Sequence, residues 1–323
     1  MKKIITTILI IICSITINAQ TIDVGRLVDW SQAGMRQPIP KILQFKNILN
    51  VAGANNTGTA DNLAAINTAI AAFGGNMGLL FFPAGTYNIS GTITVPSNVL
   101  IKGESSDVSI LNFTHVNGDC FNVSGSISSF SAVTGGYTYL SKTITVASTS
   151  SINNGDYILI NQTNGSWYSN TLIQRNYGDD AEGQIVQVVD KTSTTLTFDQ
   201  PLRWSKYTAA QSPKMAVISP TQFVGFEDIK IQRTAAMSAS TAVGTTLNFS
   251  YATNCWVKGV ESYLAAGMHV SLYFSKNIEV TGNYIHKCYR YDGTNATGYG
   301  IVFGHVTSDC RSEERRVGKE CCR

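Results

Sequence analysis

The densest run of reactive side chains in the 323-residue sequence is His286-Lys287-Cys288-Tyr289-Arg290-Tyr291-Asp292-Gly293. It joins a base, His286, to two cations, an acid, Asp292, and two rings with apolar faces and polar edges, Tyr289 and Tyr291. A histidine beside Arg290 and Lys287 can take a proton while the cations hold the anion left behind. His269 and His305 fall near the starts and ends of expected strands and join the candidate catalytic set. A structural role is the plainer reading of any one of these histidines alone. Trp204 and Tyr207 are further candidate binding rings, with Tyr251 and Tyr263 behind them. Ordinary packing is the competing reading for each. A second cluster, Asp179-Asp180-x-Glu182, has the carboxylate density of a Ca²⁺ site, and a solvated loop is its plainer reading. Glu227-Asp228 reads as a turn pair, because neighbours on a strand face opposite ways.

The elements that must hold these residues are mostly strands. Leu63, Ile66, Ile70 and Phe73 recur at helical spacing. Asp61 or Thr59 can accept from the free amides of the first turn, and Gly74-Gly75 supplies a left-handed stop. After this short helix come Leu79-Leu80-Phe81-Phe82-Pro83-Ala84-Gly85-Thr86-Tyr87, then Thr92 to Pro96 and Val99 to Gly103. These are short strands broken by Gly, Pro or Asn. From Pro220, Phe226 to Ile231, Cys255 to Val260 and Asn277 to Asn283 recur at intervals of roughly 20 to 30 residues. A second series, Thr246 to Phe249, His269 to Phe274 and Tyr299 to Gly304, interleaves with them. Two interleaved strand series at one repeat length predict a solenoid of parallel coils, with the helix covering its open first coil. Asn277 and Asn283 suit turns with left-handed backbone. Between the two parts, Ser126 to Tyr207 alternates strongly with period two and carries long polar loops, which predicts an antiparallel insertion.

Hydrophobic residues make up 43% and charged residues 14%, a balance that favours packed strands over a solvated charged surface. Without Lys2, Lys3 and the residues after Arg311, the body holds 18 basic and 18 acidic residues. A neutral body with no basic stripe argues against nucleic acid as partner. Met1-Lys2-Lys3, the apolar run Ile4 to Ile17 and Ala19-Gln20 read as a cleaved secretory signal peptide over residues 1–20. The run is short for a membrane span, and no later segment would cross one. Cys120, Cys255, Cys288 and Cys310 lack metal-site spacing and read as small buried residues. The densely charged stretch from Ser312 breaks the β-pattern in mid-coil and reads as a non-native tail on a truncated frame.

Three segments carry a resemblance: Asp61-Asn-Leu-Ala-Ala-Ile, Leu80-Phe-Phe-Pro-Ala-Gly-Thr-Tyr and Val99-Leu-Ile-Lys-Gly-Glu. Together they resemble the opening of the pectate-lyase-like superfamily, which includes rhamnogalacturonases, polygalacturonases, lyases and phage tailspikes. The resemblance implies an all-β, right-handed parallel β-helix with an N-terminal capping helix and a small antiparallel insertion. The expected organisation is cap and first coils over 21–125, insertion over 126–207, further coils over 208–311 and tail over 312–323. It further implies a secreted, monomeric protein that degrades an acidic or plant-type polysaccharide as lyase or hydrolase, with Ca²⁺ the one cofactor raised. The alternative is a non-catalytic glycan-binding or adhesin-like β-helix. The hydrolases' paired aspartates and Gly-His-Gly are not reproduced; Gly304-His305-Val306 is a partial match only.

Overall fold

The computed structural model describes residues 30–166, 168, 181–238, 242–290, 298–313 and 316–317. The expected leader, the metal candidates Asp179 and Asp180, and the site candidates Tyr291 and Asp292 lie outside the described residues. The compact body that carries the fold starts at Gln32.

Three parallel sheets stack coil on coil. The first holds Gln44–Asn47, Gly78–Phe82, Val99–Gly103, Val224–Glu227, Trp256–Lys258, Glu279–Thr281 and Arg311–Glu313 in that spatial order. The second holds Thr57–Asp61, Gly85–Ile89, Ser109–Phe113, Lys230–Arg233, Glu261–Ala265, Tyr284–Cys288 and Arg316–Val317. The third runs from Ile93–Thr94 through Phe121–Ser124, Thr245–Ser250 and Met268–Tyr273 to Tyr299–Gly304. Each sheet's order follows the chain order, so every coil lies on the one before it. The fold is a parallel β-helix.

Alternation explains the interior. Leu80, Phe82, Tyr87, Ile89, Ile101, Leu111, Phe113, Phe121, Phe226 and Phe249 all point inward with no exposed surface. Phe113, Phe121 and Phe226 pack edge to face in sequence. The helix Leu63–Ala71 sits at the first coils and buries Ile66 and Ile70 in this core. Asp61 Oδ1 accepts from the Leu63 amide at 3.1 Å, and Gly74 and Gly75 have φ of +56° and +83°. Both helix signals are therefore used as the sequence implied. At the corner between first and second sheets, Gly85 has φ +142°, and a Cβ there would lie 2.5 Å from the Asn56 carbonyl oxygen. Only glycine fits that corner.

The insertion is an antiparallel sheet built from Ser126–Ile127, Ser131–Gly135, Thr143–Val146, Tyr157–Gln162, Glu182–Lys191, Thr195–Phe198 and Lys214–Ser219. It runs past the expected boundary at Tyr207. Lys214–Ser219 pairs with Tyr157–Gln162, because Met215 faces the insertion's own core while Ile218 faces the coils. The coils resume at Thr221, where Thr221–Gln222 pairs with Ala252–Thr253.

Insertion and coils are joined through buried polar contacts. Lys276 Nζ lies 2.5 Å from Asp309 Oδ2, with side chains 1% and 2% exposed. From the insertion, Arg203 reaches Asp309 at 2.5 Å and Gln200 donates to it at 2.6 Å. The Ile185 amide donates to Ser308 Oγ, and Tyr157, Leu159, Ile185 and Ile218 pack against Val306.

The segment from Gln32 to Leu43 straps the coils from Asn277 and Asp309 back to the first strand. Gln32 O and Gly34 O accept from Asn277 Nδ2, and the Gly34 amide donates to Asp309 O near the last coil. Met35 packs with Met77, Leu100 and Trp256 on the outer face of the first sheet. The Leu43 amide then donates to Met77 O beside the first strand, Gln44–Asn47. Part of the charged terminal stretch, expected to stand outside the β-pattern, instead pairs with the last coil. Arg311–Glu313 lies along Glu279–Thr281, and Arg316–Val317 along Tyr284–Cys288, through main-chain contacts that an open edge offers to any extended segment. No described helix is long and apolar enough to cross a membrane.

Candidate functional site

The outer face of the second sheet brings together residues from three successive coils. Register places Lys230, Glu261 and Tyr284 in one row and Gln232, Tyr263 and His286 in the next. Alternation turns these outward while Ile231, Ser262 and Ile285 turn in. Glu261 Oε1 is shared: Lys230 Nζ lies 2.8 Å from it and His286 Nε2 3.1 Å. Their side chains are 21%, 16% and 13% exposed, so the group is partly shielded but reachable. The His286 ring lies 4.2 Å from Tyr284, nearly parallel, and 4.8 Å from Tyr263. Lys230 Nζ sits 5.0 Å and Lys287 Nζ 5.8 Å from the Tyr263 ring centroid.

This arrangement fixes a tautomer. Nε2 faces a carboxylate, which can only accept, so in the neutral ring Nε2 carries the proton and Nδ1 keeps its lone pair. Nδ1 has no partner among the described residues. A backbone irregularity sharpens the face. Leu264 and Lys287 occupy the same level of adjacent coils with φ of 54° and 59°, and the kink leaves both Lys287 and His286 on the accessible side.

The other sequence candidates disperse. His269 is fully buried; Nδ1 lies 2.7 Å from Ser262 Oγ, and burial, then the nearby His286, pushes its pKa down to about 3. It is a neutral interior group with no access to substrate. His305 lies beyond the next corner, stacked 5.5 Å from Phe274, with burial lowering its pKa. It borders a depression of about 620 Å³ with Tyr273, Tyr299 and Phe303. Tyr289 donates to Arg233 O at 3.3 Å, and Arg290 Nε is buried with no partner among the described residues. Tyr207 and Trp204 belong to the insertion's own core instead of lining a groove. Tyr207 is 7% exposed and donates to Ile160 O, and burial raises its pKa. Glu182 is also buried there, accepting from Gln162 at 3.2 Å, and burial raises its pKa. Among the described residues no three His, Cys, Asp or Glu side chains meet as a metal ion would require.

Glu261 and Lys230 were missed from sequence, and Tyr284 was not named. Their signal was available: Glu261-x-Tyr263 and Tyr284-x-His286 fall one coil apart in register, so a correct coil length would have stacked them.

The profile of the rhamnogalacturonase A/epimerase, pectate lyase-like family matches residues 45–213, more than half of the chain. The chain belongs to this family. The family is carbohydrate-active, and its match covers the cap, the first coils and most of the insertion. The Lys230–Glu261–His286 group lies beyond the matched residues. Among solved structures, the chain is similar to the tailspike gp61 of Pseudomonas phage phi297, with TM-score 0.58 and 10% identity, covering 84% of this chain and 49% of that one. It is also similar to the tailspike gp49 of Pseudomonas phage LKA1, with TM-score 0.54 and 20% identity over 77% of this chain and 39% of that one. The Gp54 tailspike of Acinetobacter baumannii bacteriophage AP22, solved with a capsular saccharide, gives TM-score 0.52 and 16% identity over 83% and 46%. At these identities the likeness shows the fold, and the chain spans less than half the length of each tailspike. A search of curated proteins finds no match.

Proposed function

We propose that the chain is a secreted polysaccharide lyase that cleaves a uronate-containing polymer on the outer face of its second sheet. One observation carries the reading: Glu261 Oε1 orients His286 and neutralises Lys230 at once, between the rings of Tyr263 and Tyr284. Elimination needs a base for the proton beside the uronate carboxylate and positive charge for the anion that forms. His286 Nδ1 takes the C5 proton, the electron pair forms the C4–C5 double bond, and the C4–oxygen bond breaks. The departing oxygen takes up a proton, and the Tyr263 and Tyr284 hydroxyls are the donors at hand. Lys287 holds the carboxylate, and the rings offer flat faces to the sugars. Inverting hydrolysis asks for two carboxylates about 6.5 to 9.5 Å apart, whereas His286 is in contact with one carboxylate, Glu261.

The test is incubation with a panel of polyuronates, following absorbance of unsaturated products with and without a chelator. Unsaturated product that His286→Ala reduces by about 10²- to 10⁴-fold is expected. Reducing ends without unsaturation would make the protein a hydrolase, and binding without either product would make it a glycan-binding module.

A further inference from the structure

Beneath the outer face, the inner row of the second sheet runs Leu111, Ile231, Ser262, Ile285 through successive coils. Three of these are aliphatic core residues. Ser262 breaks the row, and it is 1% exposed. Its partner is His269, with Oγ to Nδ1 at 2.7 Å and no exposed surface on the ring. Two buried polar groups here carry a desolvation cost that two aliphatic side chains would avoid. The hydrogen bond to Ser262 and a backbone hydrogen bond to Lys287 offset part of it. A buried polar pair in an otherwise apolar row calls for a reason.

Its position supplies one. Ser262 lies between Glu261 and Tyr263, the two residues that hold His286 from outside. One residue later, Leu264 leaves the extended region with φ 54°, so the strand's regular alternation ends there. The ladder resumes beyond the kink, where Ala265 pairs with Cys288. A side-chain anchor on the inner face adds a constraint at Ser262, just before the kink. His269 comes from the neighbouring third sheet, so the anchor spans a corner of the coil. Burial keeps the ring neutral over the whole working range, so the bond to Ser262 does not switch with pH.

We infer that Ser262 and His269 form a positioning pair that fixes, from inside the coil, the presentation of Glu261 and Tyr263 to His286. The inference rests on the lyase reading only in taking His286 as the group to be positioned. Neither member touches substrate; both act through Glu261.

The test uses three variants of the full chain. Ser262→Ala/His269→Leu removes both polar partners together and is close to neutral for stability. Ser262→Ala alone removes the bond and leaves the ring. His269→Asn places an amide oxygen near the Nδ1 position and can keep the bond. Nitrogen-15 NMR of the His286 ring reads the tautomer directly. A single tautomer protonated on Nε2 is expected in the natural chain and in His269→Asn, and a mixture in the other two. On an active substrate, kcat should fall about tenfold to a hundredfold in those two, with KM nearly unchanged. Folded Ser262→Ala and double variants that keep the natural tautomer would overturn the inference. Absence of any lyase activity would defeat the proposed function alone, because the tautomer measurement needs no turnover.

Discussion

Breaking the buried ion pair between two coils, Lys276–Asp309, should destabilise the protein in a pH-dependent way. Lys276 and Asp309 are 1% and 2% exposed and 2.5 Å apart, so removing one partner strands a charge inside. Such breaks cost about 3 to 5 kcal/mol. Lys276→Met should fall at the low end, near 3 kcal/mol, because Arg203 and Gln200 still hold Asp309 at 2.5 and 2.6 Å. Asp309→Asn should cost more, because the next carboxylate, Asp199, is 4.0 Å from Lys276. In a body of this size, 3 kcal/mol corresponds to a fall in Tm of roughly 6 to 12 °C. Burial alone would raise the Asp309 pKa, but Lys276, then Gln200 and Arg203, outweigh it and the net shift is downward. A lowered carboxylate pKa contributes stability above the unfolded value, about 3.9, and loses it as pH falls through the folded value. Melting curves of the natural chain and Lys276→Met should therefore differ at pH 7 and converge as pH falls below the unfolded value, about 3.9. A gap under about 1 kcal/mol at pH 7, or one unchanged at low pH, would refute the argument.

Other outcomes follow from packing and burial elsewhere in the protein. Gly225→Ala would put a Cβ 2.2 Å from the Trp256 ring; the ring must leave its seat, at about 1 to 3 kcal/mol, seen as a lowered midpoint and red-shifted tryptophan emission. Phe226→Ala empties the centre of the aromatic stack and should cost about 3 to 5 kcal/mol by denaturant titration. Cys120 and Cys255 are buried and their thiols are pushed up to about 11 and about 12, so neither should react with iodoacetamide at pH 8 until the chain is unfolded. His269 titrates near 3 in the fold against about 6.5 unfolded, so stability should decline as pH falls from about 6.5, and Ser262→Ala/His269→Leu should flatten that slope.

The early coils were readable because local rules and packing agree there. The helix spacing from Leu63 to Phe73, the Asp61 bond at its start and the inward Leu80, Phe82 and Tyr87 all appear as written. The site was only half readable. His286 could be picked from its own neighbourhood, but its partners come from coils up to two turns earlier, and their meeting depends on register. One residue of slip would have turned Glu261 and Tyr263 into the core. Trp204 and Tyr207 misled for the converse reason. An aromatic suited to a groove is equally suited to a core, and the insertion is large enough to have a core of its own. The insertion runs past Tyr207 because Lys214–Ser219 returns to pair with Tyr157–Gln162, a long-range pairing that local pattern does not show.

A stack of coils in which each layer touches only its neighbours can come apart a layer at a time from either end. The Gln32–Leu43 segment changes that, because Asn277 grips a carbonyl 245 positions before it and Leu43 binds beside the first coil. Layers that are remote from one another are thereby coupled, and loosening one end releases contacts at the other. During synthesis the segment emerges before the coils it binds and cannot dock until Asn277 has been made. Its closure then ties the first strand to the Asn277 coil, and the coils between them should open together.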